Sequence, residues 1–129
     1  MNTIQIIIVG VFFILLISSL RKYFQRRGIK QYSAKELHEI LRGKNNILLL
    51  DVRTKQERSG NMIKESFHIP LHELSSRINE LEIYRSKEIV CYCRTGNRSL
   101  TAASKLKKFG FNVSNLEDGI IQWKSTELK

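Results

Sequence analysis

Residues 88–99 read Glu88-Ile-Val-Cys-Tyr-Cys-Arg-Thr-Gly-Asn-Arg-Ser99. The first four, Glu88–Cys91, start a short apolar run that predicts a strand. A polar loop carrying Gly96 follows. From Ser99 to Phe109 the apolar residues Leu100, Ala103, Leu106 and Phe109 fall on one helical face, and Gly110 stops that helix. Strand, tight polar loop, then helix is half of a βαβ unit, and the pattern repeats on both sides. Upstream, Ile47–Val52 is an apolar run short enough to be a strand buried on both faces, as in a parallel sheet. Phe67–Ile69 reads as a brief strand closed by Pro70. Leu71, Leu74, Ile78 and Leu81 predict a helix over 71–81. Two capping boxes open helical turns, Ser33 with Glu36 and Thr54 with Glu57. The first leads into Leu37, Ile40 and Leu41 and stops at Gly43. Downstream, Phe111–Leu116 predicts a last strand and Gly119–Lys124 a short final helix. The expected fold is α/β, a small, mostly parallel sheet flanked by helices over residues 32–129.

The chain has 129 residues and a net charge of +10, with 22 Lys and Arg against 12 Asp and Glu. One Pro and seven Gly exclude collagen-like and low-complexity chains. Two Cys cannot build a disulfide scaffold or a four-Cys zinc site. The charge is unevenly spread. Residues 1–20 contain no ionic side chain, and Ile4–Ile17 is broken only by Gln5 and Gly10. Arg21, Lys22, Arg26, Arg27 and Lys30 follow at once and carry half of the net charge. Twenty helical residues span about 30 Å, the thickness of a bilayer core. A cleaved signal peptide needs its positive charge before the apolar stretch and small residues at the cleavage site, whereas Ser18-Ser19-Leu20 fits poorly. A buried core helix is usually amphipathic. Residues 1–20 therefore read as a single transmembrane helix and 21–31 as a basic juxtamembrane linker. Positive charge marks the cytoplasmic side, so the N-terminus is expected outside and the domain inside. The basic run serves topology and attraction to anionic lipid rather than nucleic acid. After residue 31 basic residues alternate with acids, and no aromatic stacking motif appears.

The chemistry is expected in the loop Cys93-Arg94-Thr95-Gly96-Asn97-Arg98-Ser99. Sites in open α/β sheets form beyond the carboxyl ends of strands. A helix N-terminus there offers free N–H groups, and small residues let them curl around an anion. A Cys at the base of such a cradle ionises easily and becomes a nucleophile. Arg94 and Arg98 add positive charge. Cys91, inside the apolar run, reads as core.

From about Ser33 to Trp123 the chain resembles the single-domain rhodanese (thiosulfate sulfurtransferase-like) family, in a membrane-anchored form. The resemblance rests on Leu50-Asp51-Val52-Arg53 with Glu57, on Ile69-Pro70-Leu71, on the Cys93–Ser99 loop, and on Gly119 with Trp123. One stretch departs: Asn61-Met62-Ile63-Lys64-Glu65-Ser66 stands where family members often carry Gly-His-Ile-x-Gly-Ala. The resemblance implies that Cys93 takes a sulfane sulfur from thiosulfate or a persulfide donor and passes it to a thiol or to cyanide. It implies that the N–H groups of residues 94–98 hold the sulfur, making Arg94, Thr95, Gly96, Asn97 and Arg98 substrate-binding. Arg98 would close the loop and Arg94 would face the entering anion. Asp51, Arg53 and Ser99 would support the site from behind, with Glu57 or a loop residue as partner to Asp51 and Arg53. No metal or organic cofactor is implied. Two other functions fit parts of the pattern. A non-catalytic module recruiting partners to the membrane would share the fold. A Cys-based phosphatase or arsenate reductase needs five residues between Cys and Arg. Here only four separate Cys93 from Arg98, and Ser99 stands where that Arg would be.

Overall fold

The computed structural model describes residues 1–43 and 46–127. Helix α1 runs from Thr3 to Arg27 and β1 from Lys30 to Tyr32. Then come α2 (Ala34–Gly43), β2 (Ile47–Asp51), α3 (Lys55–Gly60), β3 (Phe67–His68) and α4 (Leu74–Arg77). The chain closes with β4 (Glu88–Tyr92), α5 (Asn97–Lys108), β5 (Val113–Leu116) and α6 (Gly119–Glu127). The five strands form one sheet in the order β1-β5-β4-β2-β3, and every pairing is parallel.

Central β4 shows why its sequence lacks alternation. Ile89, Cys91 and Cys93 pack into one core layer with Leu100, Ala103 and Leu106 of α5. Val90 and Tyr92 point the other way, into a layer with Leu37 of α2 and Trp123 of α6. Both faces are covered, so both registers must be apolar.

Both capping boxes form. The Ser33 backbone N–H donates to the Glu36 carboxylate at 2.8 Å while the Glu36 N–H returns to the Ser33 hydroxyl at 3.1 Å. Thr54 and Glu57 make the same exchange at the start of α3.

Two expectations change, and the departing stretch 61–66 takes its shape from its contacts. Residues 21–31 are not a separate linker: Arg21–Arg27 complete α1, and Lys30–Tyr32 become edge strand β1, in register with Ser114–Leu116 of β5. A three-residue strand carrying Lys and Gln has no apolar signature. It is held by backbone pairing and by buried Tyr32, whose hydroxyl donates to Glu88 at 2.8 Å. The helix expected over 71–81 is not one helix but a 3₁₀ turn (Leu71–Glu73), α4, and a second 3₁₀ stretch (Ile78–Tyr84). The Ser76 hydroxyl donates to the Glu73 carbonyl at 2.9 Å, a bond that competes with regular helix. Leu74 and Leu81 are buried all the same. In the stretch 61–66, Glu65 adopts φ 64°, the left-handed region that a Gly occupies without strain. Ser66 and the Ile63 N–H meanwhile bond the Tyr92 hydroxyl at 2.8 and 3.2 Å.

Topology gives the molecule a polarity. Only Gly28 and Ile29 separate α1 from β1, and all strands run in β1's direction. Strand starts therefore lie at the α1 end and strand ends, with Cys93, at the other. Five residues at about 3.3 Å each set these ends about 16 Å apart. Thr3–Phe24 is long and apolar enough to cross a membrane.

Candidate active site

Cys93 follows β4 directly, and its side chain is 1% exposed. The Gly96 N–H donates to Sγ at 3.1 Å and the Ser99 hydroxyl at 3.3 Å. Burial pushes the thiol pKa up. The Ser99 hydroxyl and the N–H groups of Ser99, Gly96 and Thr95 outweigh it, and the net shift is downward. These donors favour the thiolate form of Sγ. The opposite holds for Cys91, fully buried, whose thiol is pushed well above the ordinary range by desolvation and then by the Cys93 charge.

The cradle is not quite the one expected. Ser99, assigned to a supporting place, touches the sulfur with its hydroxyl. Thr95 and Gly96 turn N–H groups toward Sγ, while the side chains of Arg94, Thr95 and Asn97 lie at the surface. Replacing Ser99 by Ala removes the only side-chain donor on Sγ among the described residues. A hydrogen bond to a charged acceptor contributes about 1.5–3 kcal/mol, so sulfur transfer should fall by about tenfold or more. The midpoint of alkylation by iodoacetamide should lie below the ordinary cysteine value near 8.5 in the parent and rise in Ser99→Ala. An unmoved midpoint would show that the hydroxyl does not stabilise the thiolate.

Gly96, Asn115 and Gly119 shape this loop through contacts that the sequence does not reveal. Gly96, at φ 99°, opens α5, and its carbonyl accepts from the Asn115 side-chain amide of β5 at 3.2 Å. Gly119, at φ 65°, leaves no room for a side chain: a Cβ there would stand 2.2 Å from the Arg94 carbonyl oxygen. That close approach lets the first turn of α6 bind the loop, Ile120 N–H to the Cys93 carbonyl at 2.9 Å and Ile121 N–H to the Arg94 carbonyl at 3.4 Å. Those carbonyls are occupied away from the sulfur.

Arg98 makes a two-pronged ion pair with Glu57, at 2.7 and 2.8 Å, tying α5 to α3. Glu57 is also the capping-box acid of α3, and its pKa is lowered to about 2, chiefly by Arg98. Its carboxylate therefore pairs with Arg98, and of the two partners expected for Arg53, Glu57 or a loop residue, the loop residue Asn61 is the one that binds its guanidinium most closely. Asp51 and Arg53 bond each other, Arg53 Nε to Oδ1 at 3.0 Å and Nη2 to Oδ2 at 2.8 Å. Arg58 and the Tyr92 hydroxyl also reach Asp51, at 3.2 and 3.0 Å. Arg53 donates onward to the Asn61 side chain and carbonyl at 2.8 and 2.7 Å. Asp51 and Arg53 are 0% and 3% exposed. They hold two strand ends and the 61–66 turn beneath the site.

Beside the Cys93 loop opens a cavity of about 370 Å³, with Arg53, Glu57 and Asn61 on one side and Arg94, Ile121 and Lys124 on the other. With Glu57 neutralised by Arg98, its free charge is cationic. Among the described residues no group of three or more His, Cys, Asp or Glu is placed to hold a metal ion.

The sheet order and the loop place the chain among α/β domains that carry a cysteine at the carboxyl end of the central strand. Residues 33–126 match the profile of the rhodanese-like domain, and the chain belongs to that family. A sulfurtransferase of Allochromatium vinosum is 32% identical over 96 residues, 74% of this chain and 88% of that protein. The uncharacterized protein YqhL of Bacillus subtilis is 33% identical over 123 residues, 95% of this chain and 92% of that one, so the match extends into α1. The crystal structure of a rhodanese-related protein from Thermoplasma volcanium superposes with a TM-score of 0.68 at 32% identity, covering 75% of this chain and 92% of that one. A sulfurtransferase-type role follows from the family.

Proposed function

We propose that Cys93 carries sulfane sulfur through a persulfide, in a domain tethered by α1 with its N-terminus outside the cell and its catalytic part in the cytoplasm. The thiolate attacks the outer sulfur of thiosulfate. The Cys93 Sγ–S bond forms, the donor's S–S bond breaks, and sulfite leaves with the bonding pair. Cyanide or a thiolate then attacks the outer sulfur of the persulfide, and the Cys93 thiolate is released. A protein persulfide can replace thiosulfate as donor, with its own thiolate as leaving group. The observation that carries this reading is the sulfur itself, with Gly96 N–H and the Ser99 hydroxyl on it. The same donors that favour the thiolate favour the persulfide anion. Thr95, Gly96 and Ser99 form the cradle, Arg98 locks it through Glu57, and exposed Arg94 meets the incoming anion with Lys124 beside it. Four residues between Cys93 and Arg98, with Ser99 folded onto Sγ, make the pocket suited to one sulfur atom rather than a tetrahedral oxyanion.

The test is the detergent-purified full chain incubated with thiosulfate. Mass spectrometry should find one added sulfur on the Cys93 peptide, and cyanide should remove it and yield thiocyanate. Neither adduct nor thiocyanate, from folded protein, would leave the membrane-tethered binding module as the reading that stands.

A further inference from the structure

The end of the domain opposite Cys93 carries a feature that sulfur transfer does not use. Helix α1 passes beside the last turn of α5, and a groove of about 640 Å³ lies between them. Ile17, Leu20 and Phe24 wall one part of it, and Arg21, Lys107 and Lys108 rim the other. Lys107 Nζ donates to the Gly28 carbonyl, joining α5 to the turn that ends α1. Neither helix contains a single acidic residue. Lysines in a last turn complement the helix dipole, which explains their position but not the apolar wall facing them. Phe109, which follows Lys108 at the end of α5, is 57% exposed.

The apolar wall belongs to the stretch Thr3–Phe24 that can cross a membrane. The groove thus runs from an apolar wall to three cations, with a volume in the range of ordinary small-ligand sites. We propose that it binds one phospholipid with an anionic headgroup. The acyl chain lies along Ile17, Leu20 and Phe24, and the phosphate sits among Arg21, Lys107 and Lys108. A choline headgroup would bring its own cation toward that cluster, so the site selects net-negative lipids. Occupancy would pin strand starts to the bilayer and hold the Cys93 mouth toward water. The proposal rests on reading α1 as a membrane anchor.

The test is native mass spectrometry of the full chain released from detergent with equimolar phosphatidylglycerol and phosphatidylcholine. The phosphatidylglycerol adduct should exceed the other by about tenfold or more, since each surface Lys or Arg contributes about 1 kcal/mol toward anionic lipid. Lys107→Gln with Lys108→Gln should remove most of that preference, by about tenfold or more, with the protein folded and cyanide transfer unchanged. Lys35→Gln with Lys64→Gln, an equal charge loss at exposed sites elsewhere, should leave the preference intact. Parity in the parent, or equal loss in both double variants, overturns the site. An alkaline carbonate wash of membranes separates the two ideas. Release of the chain removes the anchor and the lipid site together. Retention with lipid parity removes the lipid site alone.

Discussion

The Cys93→Ser protein is expected to fold, to melt within a few degrees of the parent, and to take up no sulfur from thiosulfate. Serine is slightly smaller than cysteine and accepts the same bond from the Gly96 N–H, so the loop keeps its partners. What disappears is ionisation. An ordinary thiol has a pKa near 8.5 and reacts as its thiolate, and Ser99, Gly96 and Thr95 push the Cys93 pKa downward. A serine hydroxyl gains nothing comparable from the same donors. The rate of thiocyanate formation should fall by at least about a thousandfold, which is about 4 kcal/mol of transition-state stabilisation. Cys91→Ala is the control. Its thiol is fully buried and held protonated, so the sulfur adduct should persist on Cys93. An adduct surviving Cys93→Ser, or one lost in Cys91→Ala with the fold intact, would place the chemistry elsewhere.

The parts of this molecule legible in the sequence are those set by local rules. Ile47–Asp51 and Glu88–Tyr92 stand out because a strand covered on both faces must be apolar throughout. The capping boxes at Ser33 and Thr54 stand out because their bonds join residues three apart. Cys93, Gly96 and the start of α5 lie within one turn, so the cradle too is written locally. What stayed hidden comes from distant pairing. β1 exists because β5 lies alongside it, and Lys30-Gln31-Tyr32 has no pattern of its own. Asn115 is 19 residues from the Gly96 carbonyl it holds, and Glu57 is 41 from Arg98. Gly119 was legible as a family mark, but its reason, the Arg94 carbonyl packed where a Cβ would be, is visible only in three dimensions. Ser99 is the instructive case. Counting residues marked it as the position where a phosphatase would need Arg, yet its own role on Sγ depends on the turn closing tightly enough to bring it back.

Asp51→Ala is expected to be the most destabilising exchange of a polar residue in the domain. The carboxylate is fully buried and accepts from Arg53 twice through its side chain and once through its backbone N–H at 3.0 Å. Arg58 and Tyr92 complete its shell. Burial alone would raise its pKa, but these donors, Arg53 foremost, reverse the shift and keep it below the usual carboxylate value. Removing it strands the Arg53 guanidinium, 3% exposed, with only Asn61 and the distant Glu57 carbonyl to accept from it. Breaking one half of a buried pair costs about 3–5 kcal/mol, a large fraction of the 5–15 kcal/mol that a domain commonly has. For about 100 residues the melting temperature should drop by about 12 °C or more. Trp123, the only tryptophan, is buried in the domain and stacked on His38 at 3.6 Å, so its fluorescence follows this unfolding without interference from α1. The gap between parent and variant should be full at pH 5–8. A depressed carboxylate contributes stability above its unfolded pKa, near 3.9, and loses it as pH falls through the lower folded value. Acidification below about 4 should therefore narrow the gap. Replacing both partners, Asp51→Leu with Arg53→Met, should recover part of the loss, since no buried charge is then left alone. If Asp51→Ala melts within about 2 °C of the parent, the pair is neutral to stability and its place beneath the Cys93 loop must be explained by orientation alone.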